Sequence, residues 1–250
     1  MSLWKRPPGN PSFLFSISTA HRALLRRKGA AMNHELTELV FILDKSGSMA
    51  GLEGDTIGGF NSMLRKQQEL EGECRITTVL FDNNYELLHD RIDIRAVSPM
   101  TGQDYYVGGS TALLDAMGRT IQQIANAHKR TAPNYRAQHV MFVIMTDGYE
   151  NASKKYSSDQ VKHMVERETE AFGWEFIYLG ANIDAVETAK EFGIRPDRAQ
   201  DFHADHAGIQ LSMQVVSEAA ASYRCGTPIA QDWGEKLEKD YASRASRARR

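Results

Sequence analysis

Asp44, Ser46 and Ser48 occupy alternate positions directly after an apolar run, Leu39-Val40-Phe41-Ile42-Leu43. Thr111 follows Gly108-Gly109-Ser110, and Asp147 follows a second apolar run, His139 to Thr146. These loops together offer two carboxylates and three or four hydroxyls, with neither thiolate nor imidazole. Such hard oxygen donors suit Mg²⁺, with Mn²⁺ or Ca²⁺ as the other candidates, and suit zinc or copper poorly. The charge count narrows the chemistry. Hydroxyl ligands from Ser46, Ser48 and Thr111 satisfy coordination without cancelling the charge of the ion. If Asp44 and Asp147 act through waters or hydrogen bonds, the ion stays electrophilic and gains from a carboxylate supplied by something else. A tight calcium cage needs more carboxylates bound directly. This donor set therefore reads as one that shares its metal with a partner. Two neighbours are candidates for support behind the ligands. Ser110 either tunes the site or N-caps the following helix. Asp82 either faces the ion at a distance or forms a turn with Asn83 and Asn84. Gly47 would let the backbone turn so that both serines face one point.

Strands and helices alternate around these loops. Residues 39–43 and 139–146 are apolar without interruption, as strands buried on both faces are, and each is followed by an aspartate. Arg75 to Asp82 reads as another strand, Tyr85 to Ile94 as an edge strand, and Glu175 to Leu179 as a further one. Helices are predicted over 55–71, from Ala112 onward, from a Ser157/Gln160 capping box to Phe172, over 184–192 and over 208–224. A short strand falls near Phe202. This order predicts an α/β fold, a doubly wound, mostly parallel sheet with helices on both faces. In such sheets ligands sit beyond the carboxyl ends of the strands, where the winding reverses, and the three oxygen-rich loops fall at strand ends.

The 250 residues are 42% hydrophobic and 25% charged, ordinary for a globular chain, and the net charge of −2 favours no class of partner. That average conceals a division. Residues 1–34 hold six basic and no acidic side chains, and residues 241–250 hold four arginines and no acid, which leaves −12 on the segment between. Residues 1–33 read as a basic extension outside the fold, 34–226 as one domain, and 227–250 as a polar, Arg-rich tail. Cys74 and Cys225 have no CxxC neighbour and read as two reduced thiols of a cytoplasmic chain. No stretch approaches the roughly 18 apolar residues of a membrane span. The apolar run Phe13 to Ile17 is short and followed by basic residues rather than a cleavage site, which argues against a secretory signal. His203, Asp205 and His206 form a second polar cluster, read as structural rather than as a metal site.

Taken together, the DxSxS of Asp44, Ser46 and Ser48, the threonine after Gly-Gly-Ser (Thr111) and the TDG of Asp147 resemble the von Willebrand factor type A domain. The resemblance covers about residues 36–224 and all five ligand positions of that family's metal-ion-dependent adhesion site. It implies a six-stranded sheet with one short antiparallel edge strand. It also implies a divalent cation, usually Mg²⁺, completed by an acidic side chain of a protein ligand. In its lone domain the chain is most similar to free-standing bacterial or phage members. The expected function is a metal-dependent protein-binding module without enzyme activity, with no nucleic-acid partner and no membrane span. The alternative is a Mg²⁺-dependent phosphohydrolase with Asp44 as nucleophile. Against it, such enzymes commonly carry a second acid two residues on, where this chain has Ser46. A dinucleotide site is excluded, because the first strand–helix loop lacks GxGxxG.

Overall fold

The computed structural model describes residues 36–248, with side chains through Arg244. The basic extension expected at residues 1–33 lies outside the described residues. Six strands form one sheet: β1 (Thr37–Asp44), β2 (Cys74–Phe81), β3 (Tyr85–Asp93), β4 (His139–Thr146), β5 (Glu175–Gly180) and β6 (Ala199–Asp201). Their spatial order is β3-β2-β1-β4-β5-β6, and every pair is parallel except β2 with β3. The helices are α1 (Glu53–Gln68), α2 (Leu113–Arg130), α3 (Ser158–Phe172), α4 (Ala185–Glu191), α5 (His206–Arg224) and α6 (Glu235–Ala248).

All eight residues of β1 are buried, so this strand has apolar neighbours on both faces. Leu39, Phe41 and Leu43 meet Phe60, Met63 and Leu64 of α1 with Ile209 and Met213 of α5. Val40 and Ile42 meet Met117, Ile121 and Ile124 of α2 with Val161 and Val165 of α3. The alternation of side chains along a strand is what divides one apolar run between two cores. β1 is also the strand from which the chain winds both ways, so the crevice of the doubly wound sheet opens between the ends of β1 and β4.

Three polar features fix the frame. Gln67, on the inner face of α1, gives its amide to the Ser217 carbonyl at 2.9 Å and accepts from Arg224 at 3.2 Å, joining α1 to α5. Arg91 takes a positive φ of 52° where the β2–β3 register slips, and from there it forms a two-pronged pair with buried Glu38 at 2.5 and 3.0 Å. Ser157 and Gln160 form the capping box predicted for α3, and Gly173 ends that helix at φ 67°.

The C-terminal segment departs from expectation. Residues 227–244 do not form a solvated tail, because α6 packs on the domain. Ile229 and Leu237 are buried, Trp233 Nε1 donates to the Asp197 carbonyl at 2.8 Å, and Arg198 donates to the Ile229 carbonyl at 2.9 Å. Lys236 pairs with Glu218 at 2.6 Å, and Arg244 pairs with Asp205 at 2.6 Å. The domain therefore runs past residue 226, and Arg244 serves as an ion-pair partner. Among the described residues no helix is long and apolar enough to cross a membrane.

Candidate metal centre

The crevice brings the five predicted ligand positions into one cluster. Asp44 is the last residue of β1, and Thr146 is the last of β4. Asp44 Oδ1 accepts from the Ser46 amide at 2.7 Å, and its Oδ2 accepts from the Thr146 hydroxyl at 2.6 Å. The Thr111 hydroxyl donates to Ser46 Oγ at 3.0 Å, and Ser46 Oγ lies 3.1 Å from Ser48 Oγ. Ser48 lies on the Asp147 side of this group, where its hydroxyl helps to hold the Asp147 carboxyl down. Three hydroxyls, those of Thr111, Ser46 and Ser48, are thus joined in a row. Asp44, Ser46, Thr111 and Asp147 are buried, whereas Ser48 is exposed at the rim.

Backbone pairing holds the three loops in register. The Gly47 amide donates to the Gly109 carbonyl at 3.1 Å, and the Gly108 amide to the Lys45 carbonyl at 2.9 Å. Gly109 has φ 74°, and a Cβ there would strike Asn83 Oδ1 at 2.0 Å. Gly47 is needed for closeness and not for an unusual φ, since a Cβ would sit 3.3 Å from the Gly109 carbonyl. Tyr105, fully buried, donates its hydroxyl to the Asp44 carbonyl and anchors the loop that leads to Thr111. The third loop reaches back as well: Asn151 Oδ1 accepts from the Thr111 amide, and the Asn151 amide donates to the Thr111 carbonyl, both at 3.0 Å.

Several supporting residues carried no obvious sequence signal of their contacts. Thr146 closes a strand that is otherwise apolar. Glu150 accepts from the Leu114 amide at 2.9 Å and so serves an open N–H of α2 from another loop. Lys45, between two candidate ligands, turns away from them and is almost fully buried. Its Nζ reaches Glu86 at 2.7 Å and Asp82 at 4.0 Å, and it stands 3.6 Å above the Tyr106 ring. Burial works against that charge, but Glu86, the Tyr106 hydroxyl and Asp82 outweigh it and hold Lys45 above the ordinary lysine range.

Ser110 and Asp82 do not take the roles offered for them as supports of the site. Ser110 is exposed, and α2 begins later, with Ala112 at its N-cap and no side chain capping it. Asp82 accepts from the Asn84 amide, so it forms the turn and faces Lys45. The second polar cluster is occupied by structural partners: Asp205 caps α5 through the Gly208 amide at 2.8 Å, His206 meets Asp55 at 2.5 Å, and His203 stacks on Tyr241.

The donor set fits a hard divalent cation by two observations. Asp147 Oδ1 is buried and has no hydrogen-bond partner, an arrangement that is costly in a site designed to stay empty. Burial also raises both carboxyls above the usual range; the Ser46 and Thr146 bonds oppose this at Asp44, the Ser48 hydroxyl opposes it at Asp147, and the nearby Asp147 charge adds to the rise at Asp44. A cation among these oxygens would supply the missing countercharge. Among the described residues no three His, Cys, Asp or Glu side chains gather to hold a metal, here or elsewhere, so a cation at this site would depend on the hydroxyls.

No protein-family model matches the chain, and no curated protein matches it in sequence. Solved structures do resemble it in fold. A D319A mutant of the PilB minor pilin from Streptococcus sanguinis aligns over 76% of this chain and 62% of its own, with 10% identity and a TM-score of 0.55. Proximal thread matrix protein 1 from the mussel byssus aligns over 76% of this chain and 47% of its own, with 15% identity and a TM-score of 0.50. A von Willebrand factor type A protein from Catenulispora acidiphila aligns over 75% of this chain and 43% of its own, with 11% identity and a TM-score of 0.50. The chain thus spans less than two thirds of each of these proteins. The fold is that of a von Willebrand factor type A-like α/β domain, as the strand order and the one antiparallel edge already define it.

Proposed function

We propose that this protein is a metal-dependent protein-binding module. Asp44, Ser46, Ser48, Thr111 and Asp147 hold a divalent cation, Mg²⁺ in first place with Mn²⁺ or Ca²⁺ as substitutes. An Asp or Glu side chain of a partner protein completes its coordination. The reading rests on one observation: three mutually bonded hydroxyls gather with two buried carboxylates in the crevice of the sheet, and Asp147 Oδ1 has no partner. Neutral hydroxyls leave most of the ion's charge unspent, so an added carboxylate gains strongly. The fold neighbours, a pilin and a byssal matrix protein among them, agree with a binding role and are similar in fold alone.

The phosphohydrolase alternative is disfavoured by the state of Asp44. Its two oxygens are held by the Ser46 amide and the Thr146 hydroxyl, and the residue is 1% exposed. A nucleophile needs a free, reachable oxygen. We also propose a cytoplasmic location, in keeping with two free cysteines among the described residues, one buried and one exposed.

Calorimetric titration with Mg²⁺ and Mn²⁺, with and without a Glu-containing peptide, tests the reading. Wild type should bind metal, and bind peptide only when metal is present. Thr111→Ala and Asp147→Asn should weaken both. Metal-dependent hydrolysis of generic phosphoesters that disappears in Asp44→Asn would overturn it.

A further inference from the structure

A cleft of ≈ 980 Å³ opens directly beside the metal cluster. Ser110, Ala112 and Asn151 line its inner end, and these are the chain neighbours and the hydrogen-bond partner of Thr111. Its outer walls carry Arg119, Lys154 and Lys155, all exposed. Among the described residues none of the three has a carboxylate within ion-pair distance; Arg119 only lies over the Tyr85 ring, 3.9 Å from its centroid. Three exposed cations around one cleft are unusual on a body whose residues 35–240 carry −12.

The acid in this cleft does not cancel them. Asp115 turns inward and accepts from the amides of Lys154, Lys155 and Tyr156 at 2.8–3.0 Å, and these bonds keep its carboxyl low although burial opposes them. The Lys155 charge also acts on Asp115, so this one acid balances only part of the three cations while it fixes the backbone that presents the two lysines. Tyr156 braces the same segment: its ring lies so close over Gly118 of α2 that a Cβ there would be 2.4 Å from it. Its hydroxyl donates to Gln122 at 2.7 Å. The lysine loop is therefore fixed to α2, and the cations are held at a set place relative to Thr111.

We propose that this cleft receives an acidic stretch of the partner protein, flanking the carboxylate that binds the metal. The inference rests on the metal-binding reading above and deepens it by naming the partner's chemistry: an Asp/Glu-rich peptide segment, whose anchoring acid reaches the ion while its neighbours meet Lys154, Lys155 and Arg119. Carboxylates pair with such cations through charge-assisted hydrogen bonds. Without a local positive wall, an acidic partner would be repelled by the body as a whole. A polypeptide is favoured over a nucleic acid because the inner end of the cleft offers Asn84, Ser110 and Asn151, amide and hydroxyl groups that match peptide N–H and C=O groups.

Fluorescence anisotropy with the full chain distinguishes the outcomes. Two labelled peptides are compared in Mg²⁺ and in EDTA, one with a single Glu among Ser and Gly, the other with that Glu followed by three more. At low salt the acidic peptide should bind about tenfold more tightly, with the gap closing as salt is added. Lys154→Gln/Lys155→Gln should remove that gap and leave the single-Glu peptide within twofold of wild type. Mg²⁺-dependent binding of both peptides with equal affinity overturns the cleft assignment and keeps the metal reading. Binding of the acidic peptide that persists in EDTA and is lost in the double variant supports the cleft and removes the metal reading. An oligothymidylate that binds the wild type more tightly than the acidic peptide overturns the choice of partner, and so does absence of binding by either peptide.

Discussion

The Thr146 hydroxyl donates to Asp44 Oδ2 at 2.6 Å, tying the last residue of β4 to the last residue of β1 across the crevice of the sheet. With the Ser46 amide on the other oxygen, this bond sets the orientation of a carboxylate at the centre of the cluster. Groups that orient a metal-site carboxylate from behind commonly matter about as much as the ligands.

Thr146→Val keeps the shape of the strand end and removes the donor. Metal affinity should fall by about tenfold to a hundredfold, the usual range for such supporting groups. Circular dichroism should remain that of wild type. An unchanged Mg²⁺ affinity by calorimetry would show that Asp44 is positioned without Thr146.

Divalent metal should stabilise the fold by mass action. At a concentration near a hundred times its dissociation constant, Mg²⁺ adds about 2.7 kcal/mol. Thermal unfolding should shift upward in Mg²⁺ relative to EDTA. Asp147→Asn should abolish the shift, since Asp147 Oδ1 is the buried acceptor without a partner. Equal shifts in both proteins would place the ion elsewhere.

Stability should fall on mild acidification. Burial holds His89 and His128 below the ordinary histidine range. For His89 the Asp104 charge opposes this, while for His128 the Arg136 charge assists it. A depressed histidine contributes stability that is complete above the unfolded value of 6.5 and is lost as pH falls below it. The slope is limited to about 1.4 kcal/mol per pH unit for each residue. Urea unfolding at pH 7.5 and 5.5 should show the loss, and His89→Gln should reduce it while leaving the part due to His128. Asp44 and Asp147, held high by burial, act in the opposite sense, so the test is the difference between proteins: an identical pH dependence in wild type and His89→Gln would contradict the burial of that ring.

The two thiols should react very differently. Cys74 is buried at the start of β2, and burial pushes its pKa up to about 12, whereas Cys225 is exposed beyond α5. Thiolate is the reactive form. One equivalent of a thiol reagent should label native protein, at Cys225 by peptide mapping, and two should label it in denaturant.

Removal of residues 227–250 should destabilise the domain. Ile229 and Leu237 are 4% and 1% exposed, and burial of two such side chains contributes about 3–6 kcal/mol. That is a large part of the usual stability of a domain. Chemical denaturation of the truncated chain should show it; an unchanged midpoint would return the segment to the status of a tail.

Much of this architecture was legible in particular residues. Runs such as 39–43 and 139–146 have no polar face, so they could only be central strands, and the aspartates that end them mark the crevice. The C-terminal helix was harder to see. Ile229, Trp233, Leu237 and Tyr241 recur every fourth position, but the four arginines beyond them give the segment the composition of a solvated end. Thr146 is legible as the first residue of the TDG, but its bond to Asp44 depends on β1 and β4 being neighbours. Of the two roles open to Ser110, that of cap fails because α2 starts beyond Ala112 and takes its acceptor, Glu150, from a distant loop. Pairings of that kind depend on which loops meet, and local spacing does not encode them.

The segment from Ile229 to Gly234 lies along β6, with Gly234 set so close to Gln200 that a Cβ would be 2.4 Å from its side chain. The opposite margin, β3, is broken by the slip in register at Arg91. Neither margin of the sheet offers a long, regular strand for another chain to join, which guards against edge-to-edge aggregation. Among the ways a partner can meet the sheet itself, this leaves the end-on one, at the loops where the strands finish.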